Sequence, residues 1–157
     1  MHPLVGRTGR KKMADIAKYL GNHRLFQHLN PEELDILASR VKQLSIPDGP
    51  VMNEGDPPDG MYMIQSGFAR VTKASATGST EAVLALLQQN DSFGEISLID
   101  GLPRTASVIA MGPMECYYLE RQAFIETLEQ NPRMALSLIR SLATMVRTAD
   151  DWVAHSI

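Results

Sequence analysis

The spacing of apolar residues divides the chain into a helical start, a strand-rich middle and a helical end. A short helix is predicted at residues 13–20, and a second after Asn30-Pro31, where an N-cap residue precedes proline at the first helical position. Between residues 44 and 121, glycine and proline recur so often that only short segments fit. This pattern is typical of an antiparallel sheet fold.

The predicted strands include residues 61–64, 68–72, 81–87, 106–111 and 115–119. The last two are expected to pair as a hairpin around Gly112-Pro113. We expect about eight short strands closed into a jelly roll, or double-stranded β-helix, which hides the sheet edges. The fold class is therefore mainly β with flanking helices (α+β), with helices before the roll and a long helix after it.

The long C-terminal helix carries an apolar stripe. Asn131-Pro132 separates it from a shorter helix. The stripe recurs at alternating steps of three and four residues: Ala135, Leu138, Leu142, Met145, Ala149 and Trp152. Such spacing fits packing against the chain's own roll and pairing with a twin helix equally well, so a homodimer through this helix is one expectation.

Composition and charge narrow the classes of function. The chain has 157 residues, 44% of them hydrophobic, which suits one domain, predicted at residues 13–157 behind a mobile basic tail at residues 1–12. No stretch is long and apolar enough for a membrane span, and the N-terminus does not resemble a secretory signal. With Cys116 as the single cysteine, we expect a cytoplasmic protein.

Charge is distributed unevenly although the net charge is only −3. Residues 45–124 carry ten acidic residues against four basic ones, Arg70, Lys73, Arg104 and Arg121. An acidic middle argues against nucleic-acid binding by this region. The basic cluster at residues 7–12 is interpreted as a solvated tail, with contact to nucleic acid or an acidic partner as the alternative.

The segment FGEISLIDGLPRTASV, residues 93–108, has the chemistry of an anion site. Gly94 lets backbone amides approach a ligand closely, and the short helix predicted at residues 95–100 offers N–H groups at its start. Arg104 follows nine residues after Glu95, and its guanidinium can pair with two oxygens of one phosphate. Thr105 and Ala106 add further amides.

Glu95 indicates what kind of anion binds. A carboxylate beside a phosphate repels it unless the carboxylate serves another group of the ligand. An ionised carboxylate only accepts hydrogen bonds, so a sugar hydroxyl is the natural partner. A ligand with one phosphate and a ribose hydroxyl close to it is a nucleotide. In a cyclic nucleotide the phosphate and the hydroxyl lie close enough together for Arg104 and Glu95 to bind both.

The residues Phe93 to Leu98 and the Pro103-Arg104-Thr105-Ala106 run resemble the signature of the cyclic nucleotide-binding domain family, which includes catabolite-activator-type transcription factors and protein kinase A regulatory subunits. The resemblance covers about residues 25–150. It extends to residues 54–56, 61–64 and 66–67, and it departs from the common pattern at Asn90, where a turn glycine is usual, and at Ser97, where alanine is frequent.

The resemblance implies roles for individual residues. Glu95 would bind the ribose 2′-hydroxyl and Arg104 the equatorial phosphate oxygen. The backbone amides that complete the cage would be those of Gly94, Ile96, Ser97, Thr105 and Ala106. The sugar and base pocket would be lined by Val71 and Leu84, with either Leu86 or Leu87. In relatives the final helix closes over the base, and Arg147, Asp150 and Trp152 lie where such a lid contact would fall.

The sequence identifies the purine base of the ligand less clearly than its phosphate. Thr105 offers a hydroxyl to the 2-amino group of guanine, whereas Asp150 would accept from the 6-amino group of adenine. These indications oppose one another, and we favour cyclic AMP with cyclic GMP as the alternative.

Two other functions compete with nucleotide sensing. A cupin-like metalloenzyme needs histidines inside the roll, but the four histidines, His2, His23, His28 and His155, all lie outside the predicted strands. We therefore expect no enzymatic activity, no metal and no cofactor besides the nucleotide.

Catabolite-activator-type regulators place a DNA-binding helix-turn-helix after the long helix, and the chain ends at Ile157 without one. A sensor domain of such a regulator is the alternative to a stand-alone sensor, and neither would bind nucleic acid through this chain alone.

Overall fold

A computed structural model describes residues 7–156 of the chain, with side chains described for residues 9–149. The chain forms two compact units: one comprises residues up to Arg40 and from Ile125 onward, the other Val41–Phe124. The elements in chain order are α1 (Arg7–Asn22), α2 (Pro31–Ala38), β1 (Lys42–Ile46), β2 (Gly49–Met52), β3 (Gly60–Ser66), β4 (Ala69–Ala74), β5 (Glu81–Leu87), β6 (Ser92–Phe93), α3 (Glu95–Asp100), β7 (Ser107–Ala110), β8 (Met114–Glu120), α4 (Arg121–Gln130) and α5 (Pro132–Ser156).

The strands form two antiparallel four-stranded sheets, ordered β1-β8-β3-β6 and β2-β7-β4-β5. Both sheets contribute to one buried cluster: Tyr62, Ile64, Phe93, Met114 and Cys116 come from the first, and Ala69, Val108 and Ala110 from the second. The inner faces of the sheets therefore pack together, and the predicted roll of about eight strands is confirmed. Burial raises the pKa of the Cys116 thiol to about 11, in keeping with a packing role for this residue.

The predicted hairpin around Gly112-Pro113 is wrong. β7 pairs with β2 and β4, whereas β8 pairs with β1 and β3, so the chain crosses from one sheet to the other at this turn. Val108 and Met114 therefore enter the same core cluster from different sheets. Alternating apolar residues on both sides of a turn fit either arrangement, because both place every second side chain inward.

The helical unit follows its sequence signals closely at α2. The Asn30 side chain accepts from the backbone N–H of Glu33 at 2.8 Å, and the Glu33 side chain accepts from the N–H of Asn30 at 3.0 Å. This capping box fixes the start of the helix. α1, in contrast, begins at Arg7 and not at residue 13, so residues 7–12 lie in the helix. Arginine and lysine are strong helix formers, and Gly9 alone costs only about 1 kcal/mol.

α5 has two apolar faces. Met134 and Leu138 are buried and Met145 is half-buried, so part of the predicted stripe is covered by other parts of the chain. A second stripe is exposed, at steps of three, four and three residues: Leu136, Ile139, Ala143 and Val146. Part of the predicted stripe is therefore buried, and a separate apolar face of α5 remains exposed.

No helix within residues 7–156 is both long enough and apolar enough to cross a membrane.

Candidate functional site

The predicted anion segment folds as a glycine-capped helix between β6 and β7. α3 has Gly94 as its N-cap, with φ 92°, and Gly101 as its C-cap, with φ 69°. A Cβ on Gly94 would lie 2.7 Å from the backbone oxygen of Gly60 and 2.8 Å from Nη1 of Arg104. Both the backbone conformation and the close approach therefore require glycine at this position.

Arg104 is the centre of the site and is only 3% exposed. Its Nη1 donates to the backbone oxygen of Gly94 at 3.3 Å, and its Nη2 donates to the backbone oxygen of Gly60 at 2.6 Å and pairs with Asp59. The backbone is held as well, since the Arg104 N–H donates to Asp56 at 2.8 Å and the Arg104 carbonyl accepts from Gly55 at 2.8 Å. The guanidinium is thus fixed in position before any ligand arrives.

Nε is the nitrogen of this guanidinium that these contacts do not engage. Nε of Arg104 is buried and has no hydrogen-bond partner among the residues that the structure describes. A buried N–H of a charged group without a partner is costly, and an anionic oxygen is the acceptor that best removes the cost. The arrangement therefore suits an anion beside the helix start.

Asp59 faces Arg104 from the loop before β3. Its Oδ2 accepts from the hydroxyls of Tyr62 at 2.8 Å and Tyr118 at 3.1 Å, while Oδ1 pairs with Arg104. Burial on its own raises the pKa of Asp59. The hydrogen bonds from Tyr62 and Arg104, the charge of Arg104 and the hydrogen bond from Tyr118 outweigh burial, so the pKa lies below its usual value.

The other residues of the segment divide by exposure. Glu95 and Ser97 are buried at the start of α3, whereas Ile96 is 67% exposed. The N–H of Leu98 bonds to Gly94 as the first helical bond, which leaves the N–H groups of Ile96 and Ser97 without intrahelical partners. After Arg104, the side chain of Thr105 is exposed and that of Ala106 is buried.

The predicted pocket residues lie on β4 and β5. Val71 and Leu87 are half-buried and pack against the core cluster, whereas Leu86 is 70% exposed. Of the two alternatives, Leu87 is the one on the inner face with Val71. Leu84 is 58% exposed and is the extra residue at a register shift, because Val71 pairs with Ala85 and the next residue pairs with Val83.

The predicted lid residues lie near the end of α5. Arg147 is exposed on α5, and the side chains of Asp150 and Trp152 lie outside the described residues. Their contact with a base therefore stays a prediction.

Sequence reasoning missed Asp59, Gly60 and Tyr118 as parts of the site. A Cβ on Gly60 would lie 2.5 Å from the backbone oxygen of Leu119 and 2.7 Å from the Tyr118 ring, so glycine is required there too. The only sequence signal was an Asp-Gly pair before a strand, which ordinarily indicates a turn. Within the described part of the chain, no group of three or more histidine, cysteine or acidic residues could hold a metal ion.

Comparison with protein families gives a match over residues 47–131 to the model described as "Cyclic nucleotide-binding domain". The chain is 35% identical over 127 residues to the cyclic AMP receptor protein of Thermus thermophilus, covering 80% of this chain and 58% of that protein. The chain therefore spans less than two thirds of the length of this relative.

Solved structures give the same grouping. The N-terminal domain of a transcriptional regulator from Streptomyces coelicolor matches with a TM-score of 0.74 and 28% identity, over 86% of this chain and 94% of that domain. The regulatory domain of Toxoplasma gondii PKA, solved with cAMP, matches with a TM-score of 0.72 and 25% identity, over 90% of this chain and 52% of the other.

Proposed function

This chain belongs to the cyclic nucleotide-binding domain family, and we propose that it is a regulatory sensor whose ligand is cyclic AMP. The observation that carries this proposal is Arg104 in the segment between β6 and β7, a buried cation whose Nε has no partner within the described part of the chain. We propose that the cyclic phosphate accepts from this Nε. The amides at the start of α3 and those of Thr105 and Ala106 complete the cage.

The purine preference rests on the relatives. The Thermus relative is named a cyclic AMP receptor protein, and the Toxoplasma structure was solved with cAMP. Calorimetric titration with cyclic AMP and with cyclic GMP tests both binding and preference. We expect cyclic AMP to bind more tightly. Absence of heat with either nucleotide at concentrations up to about 1 mM, where binding of about −4 kcal/mol is detectable, would contradict the function itself.

Glu95 is proposed to accept from the ribose 2′-hydroxyl, so Glu95→Ala should weaken cyclic AMP binding about fivefold, the value of roughly one hydrogen bond. The variant should also narrow the difference in affinity between cyclic AMP and 2′-deoxy cyclic AMP, since the deoxy ligand has no donor there. Calorimetry with both ligands measures this. The control Glu81→Ala removes an exposed acid from β5 and should leave the difference in affinity between the two ligands as it is in the wild type. If Glu95→Ala also leaves that difference unchanged, Glu95 does not bind the 2′-hydroxyl.

The sensor is proposed to act as a homodimer through the exposed stripe of α5. Ile139→Asp should place a charge in the exposed stripe and convert the dimer to a monomer. Sedimentation equilibrium measures the change in molecular mass. Thr148→Asp introduces the same charge on an exposed residue of α5 outside the stripe and should leave the dimer intact. A wild-type monomer, or equal effects of the two variants, would contradict a dimer interface at the exposed stripe, which consists of Leu136, Ile139, Ala143 and Val146.

The remaining parts of the proposal are coarser. We propose a cytoplasmic module that performs no catalysis itself and transmits occupancy through α5 to an effector. Its start, predicted at residue 13, moves to Arg7 or earlier because α1 begins there. A sensor domain of a transcriptional regulator is the alternative, supported by the match that covers 94% of the Streptomyces domain.

A further inference from the structure

Two tyrosines, Tyr62 and Tyr118, contact Asp59 and are not among the residues proposed above to bind the ligand. Tyr62 on β3 and Tyr118 on β8 are cross-strand partners, and their ring centroids lie 4.7 Å apart. Neighbouring positions on paired strands project to the same face of the sheet, so both hydroxyls reach one oxygen of one carboxylate. Tyr62 also stacks on Phe93, with centroids 4.8 Å apart, directly before Gly94.

Asp59 needs such support. Its side chain is 52% exposed although its partner Arg104 is buried. A half-exposed carboxylate ordinarily exchanges between rotamers and water, so an ion pair of this kind contributes little on its own. Two phenolic donors on Oδ2 hold the carboxylate with Oδ1 turned toward Arg104, and the loop backbone is fixed because the Asp59 carbonyl accepts from the N–H of Arg121 at 2.9 Å.

The position of the Asp59 carboxylate affects the anion site through Nη2 of Arg104. This nitrogen donates to Asp59 and to the backbone oxygen of Gly60, so both of its hydrogens are engaged. The plane of the guanidinium, and with it the direction of Nε, therefore depends on where the Asp59 carboxylate lies.

We propose that the hydroxyls of Tyr62 and Tyr118 are positioning groups of the cyclic nucleotide site: they orient Asp59, which orients Arg104 for the phosphate. This inference rests on the function proposed above. Tyr118 is the better probe because its hydroxyl makes the longer bond and its ring is the more exposed of the pair.

A double-mutant cycle separates positioning from general stability. Tyr118→Phe keeps the ring and should weaken cyclic AMP binding about three- to tenfold in calorimetry. In an Asp59→Asn background the same substitution should change affinity less than about twofold, since the carboxylate through which it acts is gone. Tyr117→Phe removes a hydroxyl from the opposite face of β8 and should leave affinity unchanged in both backgrounds. Equal effects of Tyr118→Phe in the two backgrounds would overturn the proposal.

A second measurement needs no ligand. In the wild type, the bonds of Nη2 should make rotation of the Arg104 guanidinium about its Cζ–Nη bonds slow on the NMR timescale. Tyr118→Phe should accelerate that rotation at least about threefold, and Tyr117→Phe should not. An unchanged rotation rate would overturn the positioning role even if the nucleotide binds. If the wild type binds no cyclic nucleotide, the function fails, and the NMR result still decides whether the tyrosines orient Arg104.

Discussion

Replacing Arg104 by leucine should weaken cyclic AMP binding by about 2–4 kcal/mol, that is, about thirty- to several-hundredfold. The variant removes the buried cation whose Nε is proposed to meet the phosphate, in a unit that carries few other basic residues. Leucine keeps an apolar stem but offers no donor. Calorimetric titration of the wild type and the variant measures the loss.

The controls follow from the other contacts of Arg104. Its loss also leaves the Asp59 carboxylate and the backbone oxygens of Gly60 and Gly94 without this donor, so the melting temperature must be measured beside the affinity. Arg104→Lys keeps the charge and loses the planar fork, and it should recover only part of the affinity. Arg70→Leu removes a positive charge from β4 and should leave affinity within about twofold. Unchanged binding in Arg104→Leu of intact fold would refute the assignment.

Much of this fold follows from local signals. The Asn30 capping box, the short helix after Gly94 and the break at Asn131-Pro132 each depend on a few neighbouring residues, and each appears where the sequence places it. Asn90 also fits, since it adopts φ 75°, a left-handed conformation that asparagine tolerates where glycine is more common.

What the sequence could not provide is long-range pairing. Asp59 and Arg104 are separated by 45 positions, and nothing in either neighbourhood identifies the other. The crossing between β7 and β8 was missed for the same reason. Alternation of apolar and polar residues determines which side chains point inward, but it does not identify the strand that pairs alongside. The chemistry of residues 93–108 and the resemblance to a family both identified Glu95 and Arg104, whereas the tyrosine pair proposed to orient the arginine emerged only from the register of β3 and β8.

Gly94→Ala should be the most damaging of the conservative changes in residues 93–108. At φ 92° an added Cβ is disfavoured by about 1–2 kcal/mol before any contact is considered. Overlap with the backbone oxygen of Gly60 at 2.7 Å adds roughly 1–3 kcal/mol, because backbone cannot move aside as the end of a flexible side chain can. The same Cβ would meet Nη1 of Arg104 at 2.8 Å and displace the guanidinium, so cyclic AMP affinity should fall about tenfold or more.

Gly78→Ala is the control that measures the conformational part of this effect alone. Gly78 has φ 72°, comparable to Gly94, but a Cβ there would have no atom within 4 Å. It should therefore cost only the conformational part, about 1–2 kcal/mol in denaturant unfolding, with affinity unchanged. The difference between the two variants measures the close approach of Gly94 to Gly60 and Arg104. If both lose the same stability and neither loses affinity, then Gly94 serves the turn alone and the contact with Arg104 has no part in binding.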